Sequence, residues 1–143
     1  MALAKVAEEL TGKGLGIKIW DAYRPFRTTV RFWELIHDER FVANPSKGSG
    51  HNRGTSVDLT LVDLKSGKEL EMPTPFDDFS PAAFHGALNI DDFRIKNRAL
   101  LKSTMEKYGF VPLETEWWHY SWQGASAYDV LDLSFKVLGS KID

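Results

Sequence analysis

Apolar residues recur at Leu3, Val6, Ala7 and Leu10, the spacing of one helical face, and Gly12 and Gly14 end that run. Leu15, Ile17 and Ile19 then alternate with Gly16, Lys18 and Trp20, which predicts a strand. Pro25 suits the first turn of a second helix, whose shared face is Phe26, Val30, Trp33 and His37 and which runs to about His37. From Asn44 to Gly54 the chain reads NPSKGSGHNRG, a loop by composition. In VDLTLVDL, Val57, Leu59 and Leu61 face one way and Asp58, Thr60 and Val62 the other, so the run predicts a strand with a buried acidic position. LKSGKEL resembles a hairpin turn with Gly67 at its tight point.

The segment MPTPFDDFSP is irregular. Asp91 to Tyr108 predicts a helix with Ile95, Ala99, Leu101, Met105 and Tyr108 as its buried stripe, ended by Gly109. FVPL and EWWHYSW predict strands, and VLDLSF is a short β-prone run near the end. Helices and strands are interspersed, several strands are joined by short turns, and neither a repeat nor a linker interrupts them. The expected class is α+β, a small, mainly antiparallel sheet with helices packed on it. The 143 residues fit a single domain spanning 1–143.

Composition narrows the function classes. Hydrophobic residues make up 43% and charged residues 27%, a globular balance. A net charge of −2 with no basic run gives no support for nucleic acid as a partner. No apolar stretch reaches about 18 residues, so a membrane span is not expected. Lys5, Glu8 and Glu9 lie where a signal peptide would be apolar, so a cytoplasmic location is the expectation, with the periplasm left open. The chain has no cysteine, so any metal must be held by His, Asp or Glu.

Three segments could carry chemistry. In SGHNRGTSVD, His51 and Asp58 are a neutral nitrogen and an anionic oxygen, both suited to zinc at about 2.0–2.2 Å. The alternative is a solvent-exposed loop histidine and a turn-capping aspartate. Asp58 shifts the balance, because an unpaired carboxylate in an apolar strand is costly and needs a cation, a hydrogen-bond network or a metal. In ETEWWHYSW, Glu116 and His119 would point to opposite faces of a strand, and they serve one site only if Glu116 lies in the turn before it. That arrangement makes His119 a ligand and Glu116 a nearby base; the alternative is an edge strand of aromatics with an incidental histidine. In WDAYRP, Arg24 sits between a strand and a helix, where it could stabilise an oxyanion or bind a carboxylate, or simply pair with Asp21. His37 and His85 are read as structural, and no HExxH motif is present.

Taken in order, DAYRP at 21–25, SGHNRGTSVD at 49–58 and EWWH at 116–119 resemble the D-Ala-D-Ala dipeptidases of the vancomycin-resistance type, members of the zinc DD-peptidases. FDDF at 76–79, preceded by MPTP, resembles the additional segment of the dipeptidase branch, and the similarity runs from about Leu15 to Tyr120. The resemblance implies a zinc DD-peptidase-like fold, one zinc ion held by His51, Asp58 and His119, Glu116 as general base and Arg24 as the transition-state arginine. It also implies Ser49 near the substrate and Asp77 on the substrate's ammonium group, with a small D-amino-acid dipeptide as substrate. Such dipeptidases usually carry several dozen residues ahead of the first helix seen here, so the chain is either a naturally short form or a fragment, and a more open pocket is expected in both cases. An open pocket leaves two alternatives: a D,D-carboxypeptidase or endopeptidase acting on peptidoglycan stem peptides, and a non-catalytic zinc domain that binds cell-wall peptides.

Overall fold

In the computed structural model, which describes residues 1–39 and 42–140, the amphipathic spacing at the N-terminus becomes helix α1 (Ala2–Thr11). It is followed by β1 (Leu15–Asp21), α2 (Phe26–Ile36), β2 (Ser56–Asp63), α3 (Asp92–Lys107), β3 (Phe110–Leu113), β4 (Glu116–Trp122) and a short α4 (Phe135–Gly139). The strands form one four-stranded antiparallel sheet in the order β1-β2-β4-β3. The class is α+β, as expected. Among the described residues, no helix is long and apolar enough to cross a membrane.

The chain divides into two compact units, Met1–Trp20 with Asp58–Gln123, and Asp21–Val57 with Gly124–Asp143. In the first unit α1 packs on α3, and α3 packs on β3 and β4. Its core is Val6 and Leu10 of α1, Leu101 and Met105 of α3, Leu59 and Leu61 of β2, and Trp118 and Tyr120 of β4. Burying each such side chain contributes roughly 1.5–3 kcal/mol. Glu9 ties α1 to the end of α3 by accepting from Lys107 Nζ at 2.6 Å and from Tyr108 Oη at 2.9 Å. Of the expected α3 stripe, Leu101 and Met105 are buried, while Ile95 and Tyr108 are half-buried. Ala99 is exposed, and Arg98 is buried instead, its guanidinium donating to the Phe84 and Ala87 carbonyls at 2.8 Å each. A long arginine with two fixed acceptors can occupy an inward position that its charge alone would forbid.

The second unit has a polar interior. Thr29, His51, Asn52, Thr55 and Ser56 are buried beside Val42 and Val57. On α2 only Thr29 is buried; Phe26, Val30 and Trp33 are half-buried, and His37 is an exposed cap in the left-handed region (φ 48°). The VLDLSF run is not a strand. Its backbone is claimed by distant segments: Leu131 N–H donates to Asn52 O at 2.9 Å, Phe26 N–H donates to Leu131 O at 3.1 Å, and the Tyr23 hydroxyl bridges both backbone groups of Leu133. Arg27 adds an ion pair to Asp132 at 3.0 Å. These contacts make residues 131–133 a strap across the start of α2.

Candidate metal and catalytic centre

In the first unit, β2 carries Asp58 between Val57 and Leu59, and the residue is 7% exposed. It faces His119 of β4: His119 Nδ1 lies 2.8 Å from Asp58 Oδ1, and His119 Nε2 lies 3.3 Å from Ser121 Oγ. The two atoms that meet are of the kinds that can ligate a metal. Tetrahedral zinc with bonds of about 2.0–2.1 Å would set them roughly 3.3 Å apart, so admitting the ion asks them to part by about half an ångström.

Glu116 is the first residue of β4, separated from the end of β3 by two residues. The β3–β4 register runs Phe110↔Trp122, Val111↔Ser121, Pro112↔Tyr120 and then shifts to Leu113↔Glu116. Simple alternation is therefore broken across Trp117, Trp118 and His119, and both tryptophans are buried at 1% exposure. Such irregularities re-aim side chains. Glu116 therefore opens the strand itself, at its turn end, rather than lying in the turn before it as the sequence reading asked.

The aromatic neighbours hold this end of the sheet. Trp117 Nε1 donates to Thr74 Oγ1 at 2.9 Å. Trp20 stacks on Phe76 with centroids 4.5 Å apart, and Phe76 and Phe79 both meet Trp118 edge-on. Between these anchored rings Asp77 is exposed, with its backbone in the left-handed region (φ 59°), which aspartate tolerates better than most residues.

In the second unit, His51 opens a 3₁₀ turn, His51–Arg53, and is 3% exposed. Its Nδ1 is 2.8 Å from Ala22 O and 4.0 Å from Asp21 Oδ1. Donation from Nδ1 to that carbonyl leaves Nε2 with its lone pair, the state a metal ligand needs. The turn is possible because Gly50 packs against Ser56, where a Cβ would overlap the serine Oγ, and because Gly54 takes a left-handed conformation (φ 65°). Arg24 N–H donates to His51 O at 3.0 Å. The Arg24 side chain lies over the Phe32 ring, 5.4 Å from its centroid, with Nε 3.5 Å from Asp21 Oδ2. The ion pair considered from sequence is thus present, on one edge of the guanidinium. Ser49 is half-buried; its hydroxyl accepts from Asn52 N–H at 3.3 Å and its own N–H donates to Asn52 Oδ1 at 3.0 Å.

The structure brings Asp58 to His119 in one unit, and Asp21 and Arg24 to His51 in the other. Among the described residues, His51, Asp58 and His119 are the group of side chains that could hold a metal ion, and a His₂Asp set is suitable for zinc. Sequence reasoning passed over Asn52, which is fully buried. A polar residue inside a polar loop has no periodicity to betray it, and its partners lie 23 and 28 residues away.

A protein-family model described as D-ala-D-ala dipeptidase matches residues 1–137. The chain is 35% identical over 130 residues to the D-alanyl-D-alanine dipeptidase of Escherichia coli (strain K12), covering 91% of this chain and 67% of that protein. It is 34% identical over 137 residues to the enzyme of the same name from Enterococcus faecium, covering 83% and 68%. Against the one from Streptomyces coelicolor it is 33% identical over 138 residues, covering 84% and 68%.

Proposed function

Since the chain belongs to the D-Ala-D-Ala dipeptidase family of peptidases, we propose that it hydrolyses the D-Ala-D-Ala dipeptide with one zinc ion held by His51, Asp58 and His119. The observation that carries this reading is the buried Asp58 carboxylate meeting His119 Nδ1 at 2.8 Å. A carboxylate buried there needs charged or hydrogen-bonding partners, and a His₂Asp set lets zinc be one of them. When bound, the ion supplies a Lewis acid and a water whose pKa falls from about 15.7 toward about 7.

The chain's own residues supply the rest. Asp58 brings the one negative charge of the ligand set, and His51 is oriented by the Ala22 carbonyl. Glu116 takes the proton of the attacking water and delivers it to the leaving amine. Arg24 stabilises negative charge developing on the carbonyl oxygen, and Asp21 together with the Phe32 ring fixes its guanidinium. The Trp117 and Trp118 rings exclude solvent from the strand that carries His119. Asp77 offers a carboxylate to the substrate's ammonium group, and Ser49 lines the end of the site nearest His51. For so small a substrate, selectivity comes from its charged ends, because an unpaired buried end group is penalised far more than a missing methyl.

The test is release of free D-alanine from D-Ala-D-Ala by zinc-loaded protein, with a chelated control. Chelator-sensitive release is expected. Zinc-loaded protein that ignores the dipeptide but trims a peptidoglycan stem pentapeptide would replace the substrate. Zinc-loaded protein inert to both would end the catalytic reading.

A further inference from the structure

We propose that Asn52 is a positioning residue for catalysis, holding the backbones of Arg24 and Ser49 in register with the His51 turn. The inference rests on the reading of Arg24 and His51 given above. Asn52 is 0% exposed, and every polar atom of its side chain is engaged. Nδ2 donates to Arg24 O at 2.9 Å and to Thr29 Oγ1 at 2.9 Å, while Oδ1 accepts from Ser49 N–H at 3.0 Å.

The pattern is a ladder between two segments. His51 Nδ1 reaches Ala22 O, Arg24 N–H reaches His51 O, and Asn52 Nδ2 reaches Arg24 O, at 2.8, 3.0 and 2.9 Å. Ala22–Arg24 and His51–Asn52 are thereby locked side by side. Two rungs are made by side chains, and because His51 is itself a proposed ligand, Asn52 is the rung a substitution can remove without touching the proposed ligand set. Its own carbonyl accepts from Leu131 N–H at 2.9 Å, which anchors the rung to the strap.

Only a short primary amide meets all three demands, two donations and one acceptance at this reach. Aspartate has nearly the same shape but no donor, and it would set a carboxylate against the Arg24 carbonyl. Serine is shorter and spans none of the three. The groups held are the backbones of proposed site residues, so a lost rung moves Arg24 relative to His51. Misplacement of about 1 Å can cost on the order of 100-fold in rate.

The experiment is a double-mutant cycle between Asn52→Asp and Arg24→Ala, in the zinc-loaded full chain, with kcat and KM on D-Ala-D-Ala, zinc content and melting temperature measured together. Asn52→Asp is expected to lower kcat by about 10–100-fold with KM changed only a few-fold and zinc retained. In the Arg24→Ala background the same change is expected to alter kcat less than about 3-fold, because the group it positions is gone. Thr29→Val removes a partner of Asn52 but not the Arg24 rung; it should lower the melting temperature and leave kcat near wild type. If Asn52→Asp does not fold, Asn52→Ser carries the same cycle without the added charge. Wild-type kcat in folded Asn52→Asp or Asn52→Ser, or full additivity with Arg24→Ala, overturns the proposal. Wild-type kcat in Arg24→Ala alone is a different failure, that of the arginine's assigned role.

Discussion

Asp58 follows Val57 and precedes Leu59, and its carboxylate has surrendered most of its water. An acid in that position makes a sharp prediction. Asp58→Asn keeps the shape and removes the charge, so zinc affinity measured by chelator competition should fall at least 10–100-fold while the melting temperature of the metal-free protein rises or holds. Glu116→Gln should retain stoichiometric zinc by elemental analysis and lose at least about 100-fold in kcat, the scale of general acid–base catalysis; retained turnover would remove it from the base role. Arg24→Lys keeps a charge but not the planar fork, and a drop of 10-fold or more in kcat separates an oxyanion role from a mere partner of Asp21. At this scale the sequence was partly transparent. Asp58 announced itself by interrupting an apolar alternation. Asn52 did not, because its worth lies in contacts with Arg24, Thr29 and Ser49 that no local spacing encodes.

Elements obey the same division. α1, β1 and α3 form where their spacing predicts, although Ile19 and Ala99 are exposed at positions that spacing would bury, and the FVPL and EWWHYSW segments become β3 and β4 because aromatic and β-branched residues fit a pleated surface. Periodicity could not reveal the register shift after Pro112, which depends on how two strands meet. Nor could it show that VLDLSF, strand-like in composition, spends its backbone bonds on Asn52, Phe26 and Tyr23 rather than on a ladder. The Gly50 turn is the element most exposed to a single change. Gly50→Ala would drive a methyl group into Ser56, at an overpacking cost of about 1–3 kcal/mol. Thermal melting should register the loss, and Ser56→Gly in the same chain should recover part of it; a melting temperature equal to wild type in Gly50→Ala would show that the turn relaxes freely.

Across the whole molecule, stability should depend on pH through two groups with separate windows. His85 is buried, with neither ring nitrogen hydrogen-bonded and the Tyr120 ring 6.0 Å away. Burial, reinforced by Lys102 and Arg98, lowers its pKa from 6.5 to about 4. The folded state thus holds it neutral while the unfolded chain takes up a proton, so stability declines as pH falls from about 6.5 toward 4, by at most about 1.4 kcal/mol per pH unit. Glu9, held near 2 by Lys107, Lys13 and Tyr108, acts lower: its contribution is lost as pH falls from about 4.5 to 2. Urea midpoints between pH 7 and 4 should therefore slope less in His85→Leu than in wild type, and equal slopes would refute the assignment.

The strap of residues 131–133 has a consequence for biosynthesis. Arg24, Ser49 and His51 are translated before the sheet strands β2–β4, yet the bond that anchors Asn52 through its carbonyl comes from Leu131, which follows Asp58–Gln123 of the first unit. A nascent chain can therefore assemble its sheet, and with it Asp58 and His119, before the segment that steadies His51 has left the ribosome. The proposed ligand set would then be steadied only after the strap has followed the sheet out of the ribosome.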